Sequence, residues 1–281
     1  MDLSIIIVSW RVKDLLQKCL QSLYQHASGI KFEVFVVDNN SLDGTIEMVK
    51  DEFPQVKLII NTQNLGFAAA NNQALKLSAG RHILLLNPDT EFFDNALGQL
   101  VELMDENREW GIVGCKILNP DKTIQESVRR FPGWFDQTLV LLKLQRLGPF
   151  KKLLDKYLAK DFNYESVSEV DQVMGAFFAI RRSTIDALGL LDEKYFYWFE
   201  EVDYCRHAKN AGLKVIYTPE PIIIHHGAAS FRQLDWKKQM IWNHSLQHYF
   251  WLHGKRWQWF ILWLLQPVSI FLALLADLWR R

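Results

Sequence analysis

Residues 32–45 read FEVFVVDNNSLDGT, an apolar run that ends in an aspartate and is followed by polar residues typical of a turn. A short run rich in β-branched and aromatic residues predicts a strand that is buried on both faces of a sheet. The Asp-Gly-Thr that comes next favours the start of a helix. This stretch therefore predicts one strand-turn-helix step of an α/β fold.

The same step recurs through the first 118 residues. Four more apolar runs predict strands, and segments with helical spacing lie between them. The strands are 3–9, 56–60, 81–86 and 111–118, and the helices are 15–23, 46–53, 68–77 and 96–104. Alternating strands and helices predict βαβ units and a largely parallel sheet, in which ligands bind beyond the carboxyl ends of the strands. We therefore expect functional residues directly after each strand.

The rest of the chain is less regular. Residues 120–168 predict a long, partly helical excursion over one side of the sheet, and three further strands follow at 170–182, 213–219 and 221–226, with a short capped helix at 183–189. We expect a main domain at 1–240, with a nucleotide-binding half at 1–118 and an acceptor half at 119–240. Residues 241–281 form a separate helical segment.

Composition excludes several classes of protein. Lysine plus arginine number 32 and so do aspartate plus glutamate, so the chain lacks the basic field that nucleic-acid binding requires. The three cysteines (Cys19, Cys115, Cys205) form no CxxC pair, which argues against a disulfide framework or a thiolate zinc site and favours a reducing compartment. The amino terminus lacks the charged and apolar regions of a signal peptide.

Polar residues follow the second and third strands. Asp38 comes at the end of a buried strand, where it could recognise a nucleobase or ribose, although it and Ser41 could instead only cap a helix. Gly66 and the alanines after it would let a helix start approach a bulky or anionic group, or could serve close helix packing alone. Neither segment decides the ligand by itself.

The fourth strand leads into Asn87-Pro88-Asp89. A carboxylate held by a preceding proline at a strand end could bind a divalent cation that bridges a diphosphate, whereas an isolated Pro-Asp-Thr is more often a turn. The chain has no GxGxxG after its first strand and no GxxxxGK[ST], which argues against dinucleotide and P-loop sites.

Six segments in this order resemble the nucleotide-sugar-dependent glycosyltransferases of family 2, which have the GT-A fold. They are SIIIVSW (4–10), VVDNNSLDGT (36–45), NLGFAAANNQAL (64–75), LLLNPDTEF (84–92), VMGAFFAIRR (173–182) and FEEVDYCRHAKNAG (199–212). The NPDT and FEEVD segments are similar to the rhamnosyltransferase-type branch, which builds bacterial surface polysaccharides. The resemblance implies a Rossmann-like, mostly parallel sheet flanked by helices.

The resemblance also implies a donor site and a metal site. Asp38 would read the base of a dTDP- or UDP-sugar, and Asp89 would face Mg²⁺ or Mn²⁺ in a DxD-like element whose first acid is here Asn87. The donor-binding residues are expected to be Ser9, Asp38, Asn40, Asn64, Gly66, Asn71, Asn87 and Asp89. Of two adjacent histidines on a strand only one can face the site, and the family position favours His225 as a metal ligand. The alternative is that this histidine only fills the end of the strand.

Three carboxylates follow an aromatic run, in YFYWFEEVD (195–203). A helix that begins near Glu201 would place this residue on the inward, apolar face, where partial burial can raise its pKa, as suits a general base. Asp203 would lie on the opposite side, solvated or ion-paired. The family pattern agrees on Glu201 and leaves Glu200 as a second candidate, while all three acids could instead only stabilise a helix amino terminus.

The carboxyl-terminal segment 257–279 is apolar and long enough to span a bilayer, but polar residues interrupt it on one side. The interruptions share an arc of roughly 100° on a helical wheel, at Lys255, Gln258, Gln266, Ser269, Asp277 and Arg280. This stripe favours a helix in the membrane interface, with a kink at Pro267 and basic ends at 255–256 and 280–281. A transmembrane helix and a helix that docks on another subunit are the alternatives.

The sequence thus predicts an inverting glycosyltransferase at the cytoplasmic face of the membrane. It would move a sugar, with rhamnose from dTDP-rhamnose as one candidate, to a saccharide or to a polyprenyl-diphosphate-linked saccharide. A nucleotidyltransferase would need a glycine-rich basic loop after the first strand, which SWRVKDLL does not provide. A sugar-binding protein without catalysis could dispense with both Glu201 and Asp89.

Overall fold

We describe the protein from a computed structural model that covers residues 1–144, 148–227 and 237–278, without the side chains at 149, 277 and 278. The strands are β1 Leu3–Ser9, β2 Phe32–Asp38, β3 Lys57–Ile60, β4 His82–Leu86, β5 Thr90–Glu91, β6 Trp110–Leu118, β7 Ile124–Gln125, β8 Val128–Arg129, β9 Ser168–Glu169, β10 Gln172–Val173, β11 Phe177–Arg181 and β12 Lys214–His225. The helices are α1 Lys13–His26, α2 Thr45–Glu52, α3 Phe67–Leu75, α4 Ala96–Glu106, α5 Trp134–Leu141, α6 Gly148–Asp155, α7 Arg182–Leu188, α8 Glu200–Asn210, α9 Lys237–His253 and α10 Arg256–Leu278.

One large sheet organises these elements, in the order β3-β2-β1-β4-β11-β6-β12-β5. Strands β1 to β4 are mutually parallel where they pair, and β6 runs parallel to β12. Strand β11 enters between β4 and β6 in the antiparallel direction. The predicted alternation of strands and helices and the mostly parallel sheet are therefore confirmed.

Helices cover both faces of the sheet because each strand alternates apolar side chains between its two faces. One core cluster joins the inner faces of α1, α2 and α4 to the sheet, with Leu16, Met48 and Leu100 among its buried members. A second cluster joins α3, α7 and α8 to the opposite face, with Ala70 and Tyr204 among its members. This sandwich fixes the carboxyl ends of β1, β2 and β4 at a common edge.

Two strand predictions need correction in detail. The runs 213–219 and 221–226 belong to one strand, β12, which pairs with β6 across a register shift between Tyr217 and Ile222. The predicted strand 170–182 is instead divided into β10 and β11 by a turn at 175–176. The short helix α7 also has no side-chain cap, since its N-cap residue is Arg181.

The two carboxyl-terminal helices pack on the domain rather than standing apart from it. Helix α9 begins at Lys237, slightly before the predicted boundary at 241, and it packs against α10. Their shared core includes Tyr195 and Phe199 from the segment before α8 together with Leu246, Tyr249 and Leu262. The helices therefore form a third layer next to the amino end of α8.

Helix α10 presents apolar side chains outward. Arg256–Ala276 is long and apolar enough to cross a membrane, and only 11% of its most apolar window is buried within the chain. The exposed apolar residues are Trp257, Phe260, Trp263, Leu264, Val268, Phe271, Leu274 and Leu275. An apolar face of this size requires an apolar neighbour, as membrane contact would provide.

The polar stripe of α10 faces the protein in its central part. Ser269 is fully buried, and its Oγ donates to Asn243 Oδ1 on α9 at 3.5 Å. Gln266 lines a small cavity together with Asn243 and Gln247. The stripe therefore contacts α9 here and does not mark a water-facing side. The predicted basic end at Arg280 and Arg281 lies outside the described residues.

Candidate active site

A cavity of about 460 Å³ opens where β4, β10 and β12 end and α8 begins. Its wall combines acids with aromatic rings. The lining residues include Asn87, Asp89, Arg129, Gln172, Gly175, Tyr197, Trp198, Phe199, Glu200, Glu201, His225 and Trp242. The sequence predictions for the metal site and for the catalytic acid therefore converge on one space, although these segments are far apart in the chain.

Asp89 and His225 meet at one end of this cavity, and each is only 6% exposed. His225 Nε2 lies 3.2 Å from Asp89 Oδ1 and 3.2 Å from Asn87 Nδ2. Burial is the largest single effect on Asp89 and favours a higher pKa, but the hydrogen bond and charge of His225, together with smaller effects of the Asp89 backbone and of His226, leave that pKa below its ordinary value. A carboxylate oxygen and an imidazole nitrogen this close together form a donor set that suits an Mn²⁺-like ion.

Gln125 orients the His225 ring. Its amide nitrogen donates to Asn119 Oδ1 at 2.8 Å, which leaves Gln125 Oε1 as the acceptor for His225 Nδ1 at 2.6 Å. When Nδ1 carries the only ring proton, the Nε2 lone pair can accept from the Asn87 amide or bind a cation, as in a metal-binding histidine, whereas a hydrogen bond to Asp89 requires a proton on Nε2. Sequence analysis missed Gln125, because it lies 100 residues from His225 on the short strand β7.

The second histidine, His226, points elsewhere. Its Nε2 lies 2.8 Å from Glu91 Oε1, and His226 is not among the residues that line the cavity. The alternation of side chains along a strand thus separates the two histidines, as the sequence analysis expected.

Glu200 and Glu201 lie at the amino end of α8, on the cavity wall. Trp198 and Phe199 adopt positive φ angles of 65° and 71°, which turn the chain so that the aromatic segment and both acids face the same space. Each glutamate has one carboxylate oxygen with no hydrogen-bond partner among the described residues. These oxygens are available to accept a proton or a hydrogen bond from a bound molecule.

Burial raises the pKa of both glutamates. The pKa of Glu200 is well above its ordinary value, through burial first and the neighbouring Glu201 second. The pKa of Glu201 is also raised by burial, an effect that its own backbone N–H and the charge of Arg129 partly offset. A carboxylate with a raised pKa is a stronger base near neutral pH, so the predicted shift for Glu201 is confirmed.

Asp203 requires a correction. It is 2% exposed, so the solvated interpretation is wrong, and its ion-paired alternative fits the structure. Tyr195 OH donates to its Oδ1 at 3.3 Å, and His253 Nε2 lies 2.6 Å from the same oxygen. Helix α9, which local sequence periodicity could not position, covers this side of α8. We call the contact between Asp203 and His253 the α8–α9 clasp.

The clasp also borders His207, whose Nδ1 lies 3.7 Å from Asp203 Oδ2. Metal-ligating atoms of Asp203, His207 and His253 lie within 4.8 Å of one another. None of these three residues lines the cavity. The group joins two helices and is separate from the pair formed by Asp89 and His225.

Of the expected donor-binding residues, Asn87 and Asp89 line the cavity, whereas the other six do not: Ser9, Asp38, Asn40, Asn64, Gly66 and Asn71. Ser9 pairs with Asp38 in the register of β1 and β2, and both are buried. Asp38 Oδ2 accepts from the Ser41 amide at 3.2 Å, whereas Asp38 Oδ1 and Ser9 Oγ have no partner among the described residues. Buried polar atoms without partners are costly, and a bound ligand would satisfy them.

Asn39, which sequence analysis missed, organises the loop after β3. Its amide donates to Asn64 Oδ1 and to the Gly66 carbonyl, both at 3.0 Å, so Asn64 is engaged within the loop. Gly66 has φ +83°, and a Cβ there would lie 2.4 Å from the Phe196 carbonyl oxygen. The close-packing interpretation of Gly66 therefore fits the structure.

The two remaining donor candidates differ in burial. Asn71 on α3 is fully buried, and its amide donates to the Phe67 carbonyl at 2.9 Å while its Oδ1 has no partner among the described residues. Asn40 is half-buried with φ 64°, in the turn after β2.

Residues 4–187, more than half of the chain, match the family model described as Glycosyl transferase family 2. The chain belongs to glycosyl transferase family 2. It is therefore a glycosyltransferase. The matched residues include the strands and loops that carry Asp38, Gly66 and Asp89. The match confirms the resemblance found in the sequence.

Curated relatives of this family 2 glycosyltransferase include two rhamnosyltransferases. The N-acetylglucosaminyl-diphospho-decaprenol L-rhamnosyltransferase of Mycobacterium tuberculosis is 26% identical over 241 residues, which cover 81% of this chain and 77% of the relative. The rhamnosyltransferase WbbL of Escherichia coli K12 is 26% identical over 231 residues, which cover 79% and 82% of the two chains.

Solved structures confirm the GT-A type of fold. A mannosyltransferase from Pyrobaculum calidifontis, solved with GDP-Man and Mn²⁺, superposes with a TM-score of 0.57 at 17% identity, over 98% of this chain and 74% of that one. GalNAc-T7, solved with UDP, GalNAc and Mn²⁺, gives a TM-score of 0.58 at 19% identity, over 80% of this chain and 44% of that one. At these identities the likeness concerns the fold alone.

Proposed function

We propose that this glycosyltransferase transfers a sugar, with inversion, from a nucleoside-diphosphate donor to a saccharide carried on a polyprenyl diphosphate. One observation carries the proposal: a donor set for a divalent cation (Asp89, His225) and a half-buried glutamate with one buried, unpartnered carboxylate oxygen (Glu201) line the same cavity. An inverting transfer needs this pairing of a charge-stabilising site with a base.

Glu201 acts as the general base. Its free carboxylate oxygen takes the proton of the acceptor hydroxyl while the hydroxyl oxygen bonds to the anomeric carbon. The bond between that carbon and the diphosphate oxygen breaks, and the electron pair leaves with the nucleoside diphosphate. Glu200 is more buried, and the neighbouring charge of Glu201 raises its pKa further, so it remains the second candidate.

Asp89 and His225 would hold the divalent cation, with Asn87 beside them and Gln125 fixing the histidine ring. The bound cation would neutralise charge that develops on the leaving diphosphate. Only one acid is present in the Asn87-Pro88-Asp89 element, so His225 supplies the second ligand. A nitrogen ligand favours Mn²⁺ over Mg²⁺, which prefers oxygen.

The buried ends of β1 and β2 recognise the nucleoside. Asp38 Oδ1 and Ser9 Oγ have no partner among the described residues and can bond a base or ribose. The nucleoside is thymidine or uridine. Rhamnose from dTDP-rhamnose is the first donor to test, because two relatives at 26% identity are named rhamnosyltransferases.

The acceptor is lipid-linked, and the enzyme works at the cytoplasmic face of the membrane. The Mycobacterium tuberculosis relative is named for a diphospho-decaprenol substrate, which supports a polyprenyl diphosphate here. The outward apolar face of α10 supports membrane contact. Trp242 of α9 lines the cavity, so the helical layer adjoins the space where the acceptor would bind.

Donor hydrolysis and transfer should be measured on the full chain in detergent, with dTDP-rhamnose, UDP-glucose, UDP-N-acetylglucosamine and GDP-mannose. Each donor is assayed with Mn²⁺, with Mg²⁺ and with a chelator. We expect one preferred donor, a requirement for the cation and an inverted anomer in the product. If no donor is consumed under any condition, the proposed function is wrong.

Variants test the assigned roles. Glu201→Gln should lower transfer by about 100- to 10,000-fold, as loss of a general base does, while leaving donor affinity nearly unchanged. Glu200→Gln is the matched control and should retain more activity. Asp89→Asn should weaken binding of the donor and Mn²⁺ together. Wild-type activity of Glu201→Gln would refute the assignment of the base.

A further inference from the structure

Arg129 is a cation on the cavity wall that the proposed mechanism does not use. It lies on β8, it is exposed, and its guanidinium makes no hydrogen bond or ion pair within the part of the chain that the structure describes. An unpaired arginine on a cavity wall is suited to bind an anionic ligand, because its planar fork of donors matches phosphate oxygens.

The position of Arg129 can be read from the segment that connects β10 to β11. Arg129 pairs with Gln172. Further along, a Cβ on Gly175 would lie 3.8 Å from the Glu201 side chain, and the Ala176 carbonyl accepts from the Asn87 amide at 3.1 Å. Glu201 therefore lies between Arg129 and the end of the cavity where Asp89 and His225 meet.

The separation is short. Gln172, which pairs with Arg129, and Gly175, which lies beside Glu201, are three residues apart and so at most about 10 Å from each other along the backbone. Arg129 and Glu201 both line the cavity, and the charge of Arg129 also acts on the Glu201 carboxylate. A saccharide fits within a span of this size. An acceptor whose hydroxyl lies against Glu201 would place the substituent on its far side near Arg129.

The charges of the lining residues make this placement specific. Asp89, Glu200 and Glu201 are acidic, while Arg129 is the one lysine or arginine in the described lining. A diphosphate on the acceptor would enter a space whose other lining residues include acids and no further lysine or arginine. The donor diphosphate has the Asp89–His225 end for its own charge, so the second anion depends on Arg129.

We infer that Arg129 binds the diphosphate of the lipid-linked acceptor and selects acceptors that carry it. The inference rests on the proposed function for the nature of the acceptor. The acceptor then lies across the cavity, with its reacting sugar between Glu201 and the aromatic wall and its diphosphate against the guanidinium. Arg129 is a specificity residue, distinct from the base and from the metal ligands.

The test compares two synthetic acceptors that share one sugar: a short saccharide-diphosphate-prenol and the uncharged alkyl glycoside. Binding of each is measured by calorimetry on the full chain in detergent, with nucleoside diphosphate and Mn²⁺ present throughout to fill the donor side. Arg129→Ala and Arg129→Lys are compared with Arg130→Ala, a matched control, because Arg130 is an exposed neighbour that does not line the cavity.

We expect the wild type to bind the diphosphate acceptor about 10- to 100-fold more tightly than the glycoside, the range for hydrogen bonds to a charged group. Arg129→Ala should abolish this preference, Arg129→Lys should keep part of it, and Arg130→Ala should keep all of it. An equal loss of affinity for both acceptors in Arg129→Ala would mean that Arg129 acts only through Glu201, and it would overturn the inference. An unchanged preference for the diphosphate acceptor in this variant would also overturn it.

Transfer assays on the same proteins separate this inference from the proposed function. A diphosphate preference that depends on Arg129, without sugar transfer from any donor, would leave the inference standing and refute the proposed function. Sugar transfer from a donor, without any preference for the diphosphate acceptor, would refute the inference and leave the proposed transfer reaction standing.

Discussion

Breaking the α8–α9 clasp should destabilise the enzyme more than a typical ion pair would. Among the described residues, His253→Ala leaves the Asp203 carboxylate, 3% exposed, with only Tyr195 OH at 3.3 Å and His207 Nδ1 at 3.7 Å. Removing one partner of a buried pair costs about 3–5 kcal/mol, since the remaining charge has lost its compensation. For a domain of this size we expect the melting temperature to fall by about 6 to 20 °C.

Asp203→Asn should cost less, because the amide oxygen can still accept from Tyr195 and His253. It should also reduce transfer far less than Glu201→Gln does, since Asp203 does not line the cavity. The double variant, Asp203→Asn with His253→Ala, should lose less unfolding free energy than the sum of the losses in the two single variants, as expected for residues in direct contact.

Thermal unfolding of the full chain in one fixed detergent measures these effects. His248→Ala is the matched control. His248 Nε2 also lies 2.6 Å from a carboxylate, that of Asp192, but the Asp192 side chain is 32% exposed. Its loss should cost about 1 kcal/mol or less, as for solvent-screened pairs. A cost for His253→Ala no larger than that for His248→Ala, with additive double variants, would refute the reasoning.

Three further predictions concern the base, the donor loop and the membrane face. Because the pKa of Glu201 is raised, the folded state binds its proton more readily than the unfolded state does, and the protein loses stability as pH rises through the window between the two pKa values. Glu201→Gln should therefore raise the melting temperature above that window. As pH falls, wild-type transfer should begin to fail at a higher pH than it would with a glutamate of ordinary pKa, because the base must be deprotonated. Gly66→Ala should weaken donor binding and cost about 1–3 kcal/mol in thermal unfolding, since its Cβ would meet a backbone oxygen at 2.4 Å, whereas Gly29→Ala, with φ +74° but open space, should show only the backbone strain. Phe271→Ser, in the exposed face of α10, should lower partitioning into lipid vesicles by about tenfold, whereas Leu77→Ser, exposed elsewhere, should not change sedimentation with vesicles.

The sheet and the polar strand ends were predictable from sequence because both depend on local patterns. Strand β2 follows from an apolar run of seven residues, and its terminal Asp38 follows from the rule that parallel strands present ligands at their carboxyl ends. The separation of His225 from His226 follows from the period of two along a strand. These signals require no knowledge of distant contacts.

Other features depend on which distant segments meet, and no local pattern carries that information. The burial of Asp203 required knowing that α9 returns to cover the far side of α8. Gln125 could be assigned to His225 only once β7 was placed beside β6. Asn39 differs: it lies in the predicted strand-end segment, but only the loop contacts reveal that it donates to the Gly66 carbonyl.

The helical layer cannot be treated as a removable anchor. Helix α9 carries Trp242 of the cavity wall and His253 of the clasp, and α10 contributes Leu262, fully buried, to the core that holds Tyr195 and Phe199. A shortened enzyme made for solubility by ending the chain before α9 would lose part of the cavity wall. Soluble versions are better sought by exchanging the outward apolar residues of α10 for polar ones, so that the inner side of the helix continues to support the reaction.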